Sequence, residues 1–215
     1  ADPDRIALLD NFSWGDPRRP STLGELVAAV DGCVAAAHAY RAPFVSGKDS
    51  LNNEYTGTDG QRHAVPPTLV ITAVAHVPDA DRCVTPVLTT PGYVLALVGR
   101  TTAEFAGSQL DLVLGEPVEP GVAPSPDPDA PVRYRRLHQA ILEGLVQACH
   151  DVSEGGLAVA LAELCIAGRL GAEISTLPHD DHATALFSES SGRLVVEVAP
   201  GDLDRFRDVM HGDAL

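Results

Sequence analysis

The chain has 215 residues, 45% of them hydrophobic and 21% charged, with a formal net charge of −15. That length allows one large domain or two small ones, and either could bury a sizeable core. The acidic balance argues against wholesale binding to nucleic-acid backbones or anionic membranes, since both need dense positive charge. It leaves room for a small phosphorylated ligand held by backbone amides, one or two cations and a metal ion. No uninterrupted apolar run reaches the ~18 residues of a membrane span, and nothing at the start resembles a signal peptide. Cys33, Cys83, Cys149 and Cys165 lie far apart with no CxxC pair, which argues against a zinc site and fits a reduced, cytoplasmic protein.

In chain order, RIALLDNF predicts a strand ending at Asp10, followed by the polar turn SWGDPRRP. Thr22 and Glu25 form a capping-box pattern, and Leu23, Leu26, Val27, Val30 and Val34 recur at helical spacing. They predict a helix to about Tyr40 with that face inward. APFV then reads as a strand that stops at SGKDS, and TGTDGQRHAVPP as a polar hairpin or loop. PTLVITAVAHV and GYVLALVGR are strands on either side of a break between Asp79 and Gly92. The proline- and acid-rich residues Glu116 to Pro131 predict a solvated loop. A helix is expected from Arg133 to about Ala148, with Leu137, Ile141 and Leu145 on one face. HDVSEGG interrupts it, LAVALAELCIAGRLG forms a second helix, and GRLVVEVA is the last strand. The expected class is α/β (α+β): two units joined near residues 80–91, each a mixed sheet with helices packed against one side.

Three stretches carry possible chemistry. Asp10 stands at the C-terminal end of an apolar strand, where α/β proteins place ligand-binding groups; an Asp opening a turn is the plainer alternative. In SGKDS, Gly47 can let a backbone amide approach a phosphate and Lys48 can neutralise its charge, though a hairpin turn explains the pair equally well. The polar density from Ser50 to Glu54 adds weight to a site there. In HDVSEGG, Ser153 or Asp151 could cap the following helix, the reading that local chemistry favours; alternatively the helix start receives an anion and Asp151 holds Mg²⁺. HDDH at 179–182 reads as a solvated acidic loop, and Trp14, the single tryptophan, as a core or interface residue.

Taken together, DNFSWGDP, PFVSGKDSLNNE and ACHDVSEGGLAVALAE resemble the second half of phosphoribosylformylglycinamidine synthase. AGSQL (Ala106 to Leu110) and FSESSGRLVVEV (Phe187 to Val198) extend the likeness over essentially the whole chain. The third motif is shared more loosely with related ATP-dependent synthetases that make aminoimidazole ribonucleotide or selenophosphate.

The resemblance implies an ATP- and Mg²⁺-dependent ligase of purine biosynthesis. ATP phosphorylates the formamide oxygen of formylglycinamide ribonucleotide, and glutamine-derived ammonia then displaces phosphate to give the amidine. By the same resemblance, Asp10 and Gly47 contact ATP and Ser50 touches the ribonucleotide. Lys48 stands where the short form of the enzyme carries a Mg²⁺-binding Asn, and a protonated lysine is a poor ligand. Asp151 and Ser153 match long-form positions that bind Mg²⁺ and an auxiliary nucleotide. Residues 1–85 would be an incomplete unit of the aminoimidazole ribonucleotide synthetase N-terminal type, and 86–215 a truncated C-terminal-type unit. Expected partners are the other synthetase half, a glutaminase domain or subunit, and a paired homodimer or pseudo-dimer arrangement. Two other roles fit the same motifs: a structural, nucleotide-storing half that pairs with a catalytic one, or a related synthetase of the superfamily.

Overall fold

The computed structural model describes residues 1–214, which divide into two compact units, Ala1–Pro78 and Asp79–Leu215. In the first, β1 (Ile6–Ser13), α1 (Pro20–Tyr40), β2 (Phe44–Ser50) and β5 (Thr68–Ala75) form a three-stranded sheet with a crossover helix, in the order β2-β1-β5. β1 runs parallel to β2 and antiparallel to β5. The polar segment between β2 and β5 is a hairpin of β3 (Glu54–Thr56) and β4 (Arg62–Ala64).

Helix α1 departs from its sequence reading at both its start and its face. Its N-cap is Arg19 with no side-chain capping bond, and Pro20 opens the first turn, so the Thr22–Glu25 capping box does not set the boundary. Thr22, Leu26, Ala29, Cys33 and Ala37 are the half-buried line, whereas Leu23, Val27, Val30 and Val34 are 43–51% exposed. The physical reason is size: most of the half-buried line is small, so it permits a closer approach than the branched residues would. By length and composition alone α1 is also long and apolar enough to cross a membrane, although Glu25 and Asp31 interrupt its apolar run.

The second unit is built on β6 (Val94–Val98), β7 (Val146–Val152) and β8 (Arg193–Val198), in the order β6-β8-β7 and antiparallel throughout. Its helices are α2 (Gln109–Leu114), α3 (Ala130–Leu142), α4 (Gly156–Gly168), α5 (His182–Phe187) and α6 (Leu203–Met210). Here the expectation of helices against one side fails. Leu137 and Ala140 of α3 pack with Phe206 and Met210 of α6 against Ala96, Val98, Val196 and Val198. Leu157, Ala160 and Leu164 of α4 pack with Leu97, Ala148 and Val195 in a separate cluster. Consecutive valines in β8 are buried, so both faces of the strand need cover.

The expected helix over 133–148 is also corrected. It begins at Ala130 and ends at Leu142; Gly144, at φ 76°, breaks it, and residues 146–152 are strand β7. Residues 79–91 belong to the second unit. Thr85 bridges Ala148, Leu88 is core, and the buried Glu197 carboxylate accepts hydrogen bonds from Thr89 N, Thr89 Oγ1 and Thr90 N at 2.8–3.2 Å.

Phe206 is fully buried in the α3–α6 cluster. Phe206→Ala is expected to destabilise the second unit by about 3–5 kcal/mol, read as a lower denaturant midpoint with an unchanged slope.

Candidate functional site

β1 does not end at Asp10; it continues to Ser13, and Asp10 pairs directly with Gly47 on the parallel strand β2. A Cβ built on Gly47 would overlap the Asp10 carboxylate, so the acid occupies the space that any other residue at position 47 would fill. Both turn readings therefore fail, since Asp10 and SGKDS are strand. Burial, and behind it the negative charge of Asp10, pushes the Cys33 thiol of α1 up in pKa.

Strand alternation separates the remaining candidates. Lys48 pairs with Asn11 and Ser50 with Ser13, so their side chains alternate to the face opposite Asp10 and Gly47. The structure thus joins Asp10 to Gly47 but does not bring Ser50 beside them. Lys48 and Asp49 are exposed.

Much of the polar density that follows β2 is used to hold the protein together. Asn53 donates to Ser13 Oγ at 2.8 Å and to the Ser50 carbonyl at 3.1 Å. The Glu54 side chain is fully buried, accepts from Asp16 N at 3.1 Å, and pairs with Arg19 at 2.9 Å and Arg62 at 3.0 Å. Asp16 is gripped by its neighbour: the Arg18 guanidinium, then the Arg18 backbone N–H, hold its carboxyl down at about 2. Trp14 is buried 5.7 Å from Phe12, its indole nitrogen without a partner.

In the second unit HDVSEGG is the end of β7 and a turn into α4. Neither Ser153 nor Asp151 caps that helix; its N-cap is Gly155 in the left-handed region, with no side-chain capping bond. The Gly155 N–H instead donates 2.8 Å to Oε1 of Glu189, and the Gln109 N–H at the start of α2 donates 2.8 Å to the same oxygen. The helix start does receive an anion, and it is the protein's own. Gly156 follows at φ 69°, and a Cβ there would lie 2.6 Å from the Ser188 carbonyl and 2.7 Å from that of Leu186. Asp151 keeps an exposed carboxylate 3.2 Å from His150 Nδ1, while His150 Nε2 lies 2.8 Å from Glu163.

Beneath Glu189 lies a buried polar network that the sequence reading missed. Ser190 Oγ donates to the Thr102 carbonyl at 2.9 Å, and Thr102 N donates to Ser190 Oγ at 3.0 Å. Arg193 is buried and donates to the carbonyls of Ser188 and Ser190 and, at 3.0 Å, to Thr101 Oγ1; burial pulls its pKa down to about 10 against the opposing pull of Glu104 and Glu189. In the sequence the one signal for this network is the FSESSGR string. The HDDH segment is likewise not a plain loop, because Asp181 caps α5 through Thr184 N at 2.7 Å. Among the described residues no group of three or more His, Cys, Asp or Glu side chains could hold a metal ion.

Residues 90–215 match the family described as AIR synthase related protein, C-terminal domain. The chain belongs to the AIR synthase related family. Within the curated members, it is 36% identical over 210 residues to phosphoribosylformylglycinamidine synthase subunit PurL of Limosilactobacillus reuteri, covering 97% of this chain and 27% of that one. With the subunit PurL of Lactobacillus helveticus it shares 35% identity over 206 residues, 95% of this chain and 27% of the relative. The chain thus spans about a quarter of the length of the curated relatives it matches. Thermotoga maritima PurL complexed with FGAR shares the fold at a TM-score of 0.68 with 19% identity, over 98% of this chain and 34% of that one. Escherichia coli HypE does so at 0.65 with 17% identity, over 97% and 63%. The α/β (α+β) class and the likeness to phosphoribosylformylglycinamidine synthase read from the sequence both hold.

Gly47→Ala is expected to destabilise the chain by about 1–3 kcal/mol by displacing the Asp10 carboxylate. Adding Asp10→Ala should relieve much of that cost, so a double-mutant cycle by chemical denaturation reads a coupling of about 1 kcal/mol or more. For Asp16 the folded pKa is depressed, so its contribution is present above about pH 4 and fades as pH falls towards 2. Asp16→Asn should accordingly flatten the fall in urea stability between pH 4 and pH 2.

Proposed function

We propose that this chain supplies part of the second synthetase half of a phosphoribosylformylglycinamidine synthase. The reaction joins formylglycinamide ribonucleotide, ATP and ammonia to give the amidine, ADP and phosphate. Phosphorylation turns the formamide oxygen into a good leaving group. Ammonia adds at the same carbon, and the C–O bond breaks with release of phosphate. The protein's share of such chemistry is positioning and charge neutralisation around the transferred phosphoryl group.

The observation that carries this reading is the pairing of Asp10 with Gly47, in which a carboxylate and a bare backbone share one spot at the centre of the sheet. The identity of 36% to a PurL subunit over 97% of the chain supports it. In this reading Asp10 and Gly47 contact ATP, and Ser50 serves the ribonucleotide from the opposite face of β2. Lys48 supplies charge to a phosphate rather than a metal ligand. Asp151 and Ser153 serve Mg²⁺ and an auxiliary nucleotide. Asp151 offers one exposed carboxylate, which suits a hard cation completed by phosphate oxygens and water, not an all-protein cage. Bound there, Mg²⁺ would neutralise phosphate charge.

PurL of Thermotoga maritima has been solved with ATP and with FGAR, and as PurLQS. By analogy the partners proposed here are the other synthetase half and a glutaminase that delivers ammonia from glutamine, with the paired halves forming a pseudo-dimer in the cytoplasm. The alternative, a nucleotide-storing structural half, assigns the work to Asp151 and Ser153 alone.

In the complete enzyme, Asp10→Ala should lower kcat/KM for amidine formation at least a hundredfold, and Ser50→Ala should weaken use of the ribonucleotide. Full turnover by Asp10→Ala together with loss in Asp151→Ala would favour the storage role. The 215-residue chain by itself, given ATP, Mg²⁺ and ammonia, is expected to make no amidine. One half of the pair leaves the phosphates facing water, where charge stabilisation is weak. The assay is ammonia-dependent ADP release coupled to detection of the amidine.

A further inference from the structure

We propose that Glu189 is a positioning residue: by accepting from the N–H of Gly155, the N-cap residue of α4, it orders the turn after β7, so that the Ser153 hydroxyl and the exposed Asp151 carboxylate are left to face a ligand. The proposal rests on the nucleotide reading of those two residues. Asp151 lies in β7, paired with Leu194 of β8, whereas Ser153 stands in the turn that follows, where Gly155 and Gly156 are consecutive glycines at φ 78° and 69° and no Cβ restricts the backbone. A helix entered this way would ordinarily be secured by a Ser or Asp accepting from its first N–H groups. Here Ser153 is exposed, no hydroxyl caps the helix, and Asp151 points its carboxylate to solvent with 66% of the side chain exposed.

Glu189 takes over that task from a rigid base. Its neighbours Ser188 and Ser190 are buried and tied to the Thr102 carbonyl, and its own N–H donates to the Glu104 carbonyl at 3.3 Å. One oxygen then accepts from Gly155 N and Gln109 N, so segments 106–110, 153–156 and 187–190 meet at a single atom. Charge-assisted bonds of this kind are about twice as strong as neutral ones; one ties the turn to Glu189 and the other ties the start of α2 to the same oxygen. The turn is thereby held without using the Ser153 hydroxyl, while the ladder with β8 holds the β7 end that presents Asp151.

The test compares Glu189→Ala with Glu189→Gln in the full chain, by amide hydrogen exchange and by Mg·ADP titration. Glu189→Ala should speed exchange at Gly155 and Gln109 at least tenfold, leave the core amide of Val196 unchanged, and weaken Mg·ADP binding at least tenfold. Glu189→Gln keeps an oxygen acceptor and should stay within about threefold of the parent in each. Unchanged exchange at Gly155, equal acceleration at Val196, or fast exchange with undiminished Mg·ADP binding would each overturn the proposal. Ser153→Ala separates the two ideas. If it leaves Mg·ADP affinity intact, the nucleotide reading of this turn falls, while the exchange pattern still decides whether Glu189 orders it.

Discussion

A carboxylate lodged in the space of an absent side chain is the contact on which the first unit's site depends. Asp10 lies mid-strand in β1, and its oxygens fill the volume above Gly47 on the neighbouring parallel strand. Parallel pairing across a crossover helix produces that meeting: β1 and β2 are separated by α1 in sequence, yet run side by side from Leu9 to Ser50. Because β1 also carries β5 on its other edge, Asp10 sits on the central strand of the three and is fixed from both sides. Further along, Arg19 and the Asp16 N–H both reach Glu54 and so tie the loop after β1 to the hairpin after β2, while Arg18–Asp16 and Arg62–Glu54 pair within the loop and the hairpin.

The second unit solves a different problem with related means. Its central strand β8 is buried on both faces, so helices must cover both, and the turns between strands and helices are drawn into a shared polar base. Arg193, at the start of β8, spends its guanidinium on backbone carbonyls and a threonine hydroxyl rather than on a carboxylate. Glu189 gathers two helix starts above it. Buried polar groups of this kind cost heavily if left unpaired and confer rigidity when satisfied.

What could be read in the sequence follows from how local each signal was. The strands with β-branched runs, β5, β6 and β8, and the helix α4 stand where the pattern placed them, because burial on a strand or helix writes itself into neighbouring residues. The segment after α3 was misread since Leu145 and Val146 continue an apolar pattern, and Gly144 alone marks the break. The inward face of α1 was misassigned because the helix is apolar nearly all round, so periodicity could not choose between its branched and its small residues. At the candidate site, Asp10 and Gly47 were legible as strand-end residues, though neither is at a strand end. Asn53 and Glu54 looked like ligand groups and turned out to bond within the protein, since their partners Ser13, Arg19 and Arg62 are distant or unremarkable in sequence. Glu189 lies within the FSESSGRLVVEV string, but its role exists only where three separated segments meet and so cannot be read from that string.

The central claim is that Mg·ATP meets this chain at the Asp10–Gly47 contact. Hydrogen–deuterium exchange on the assembled synthetase, with and without Mg·ATP, tests it most directly. The account predicts slowed exchange in the peptides covering residues 6–13 and 44–50 when Mg·ATP is added, and no such protection in Asp10→Ala. Protection that spares both strands, or that persists undiminished in Asp10→Ala, would contradict it.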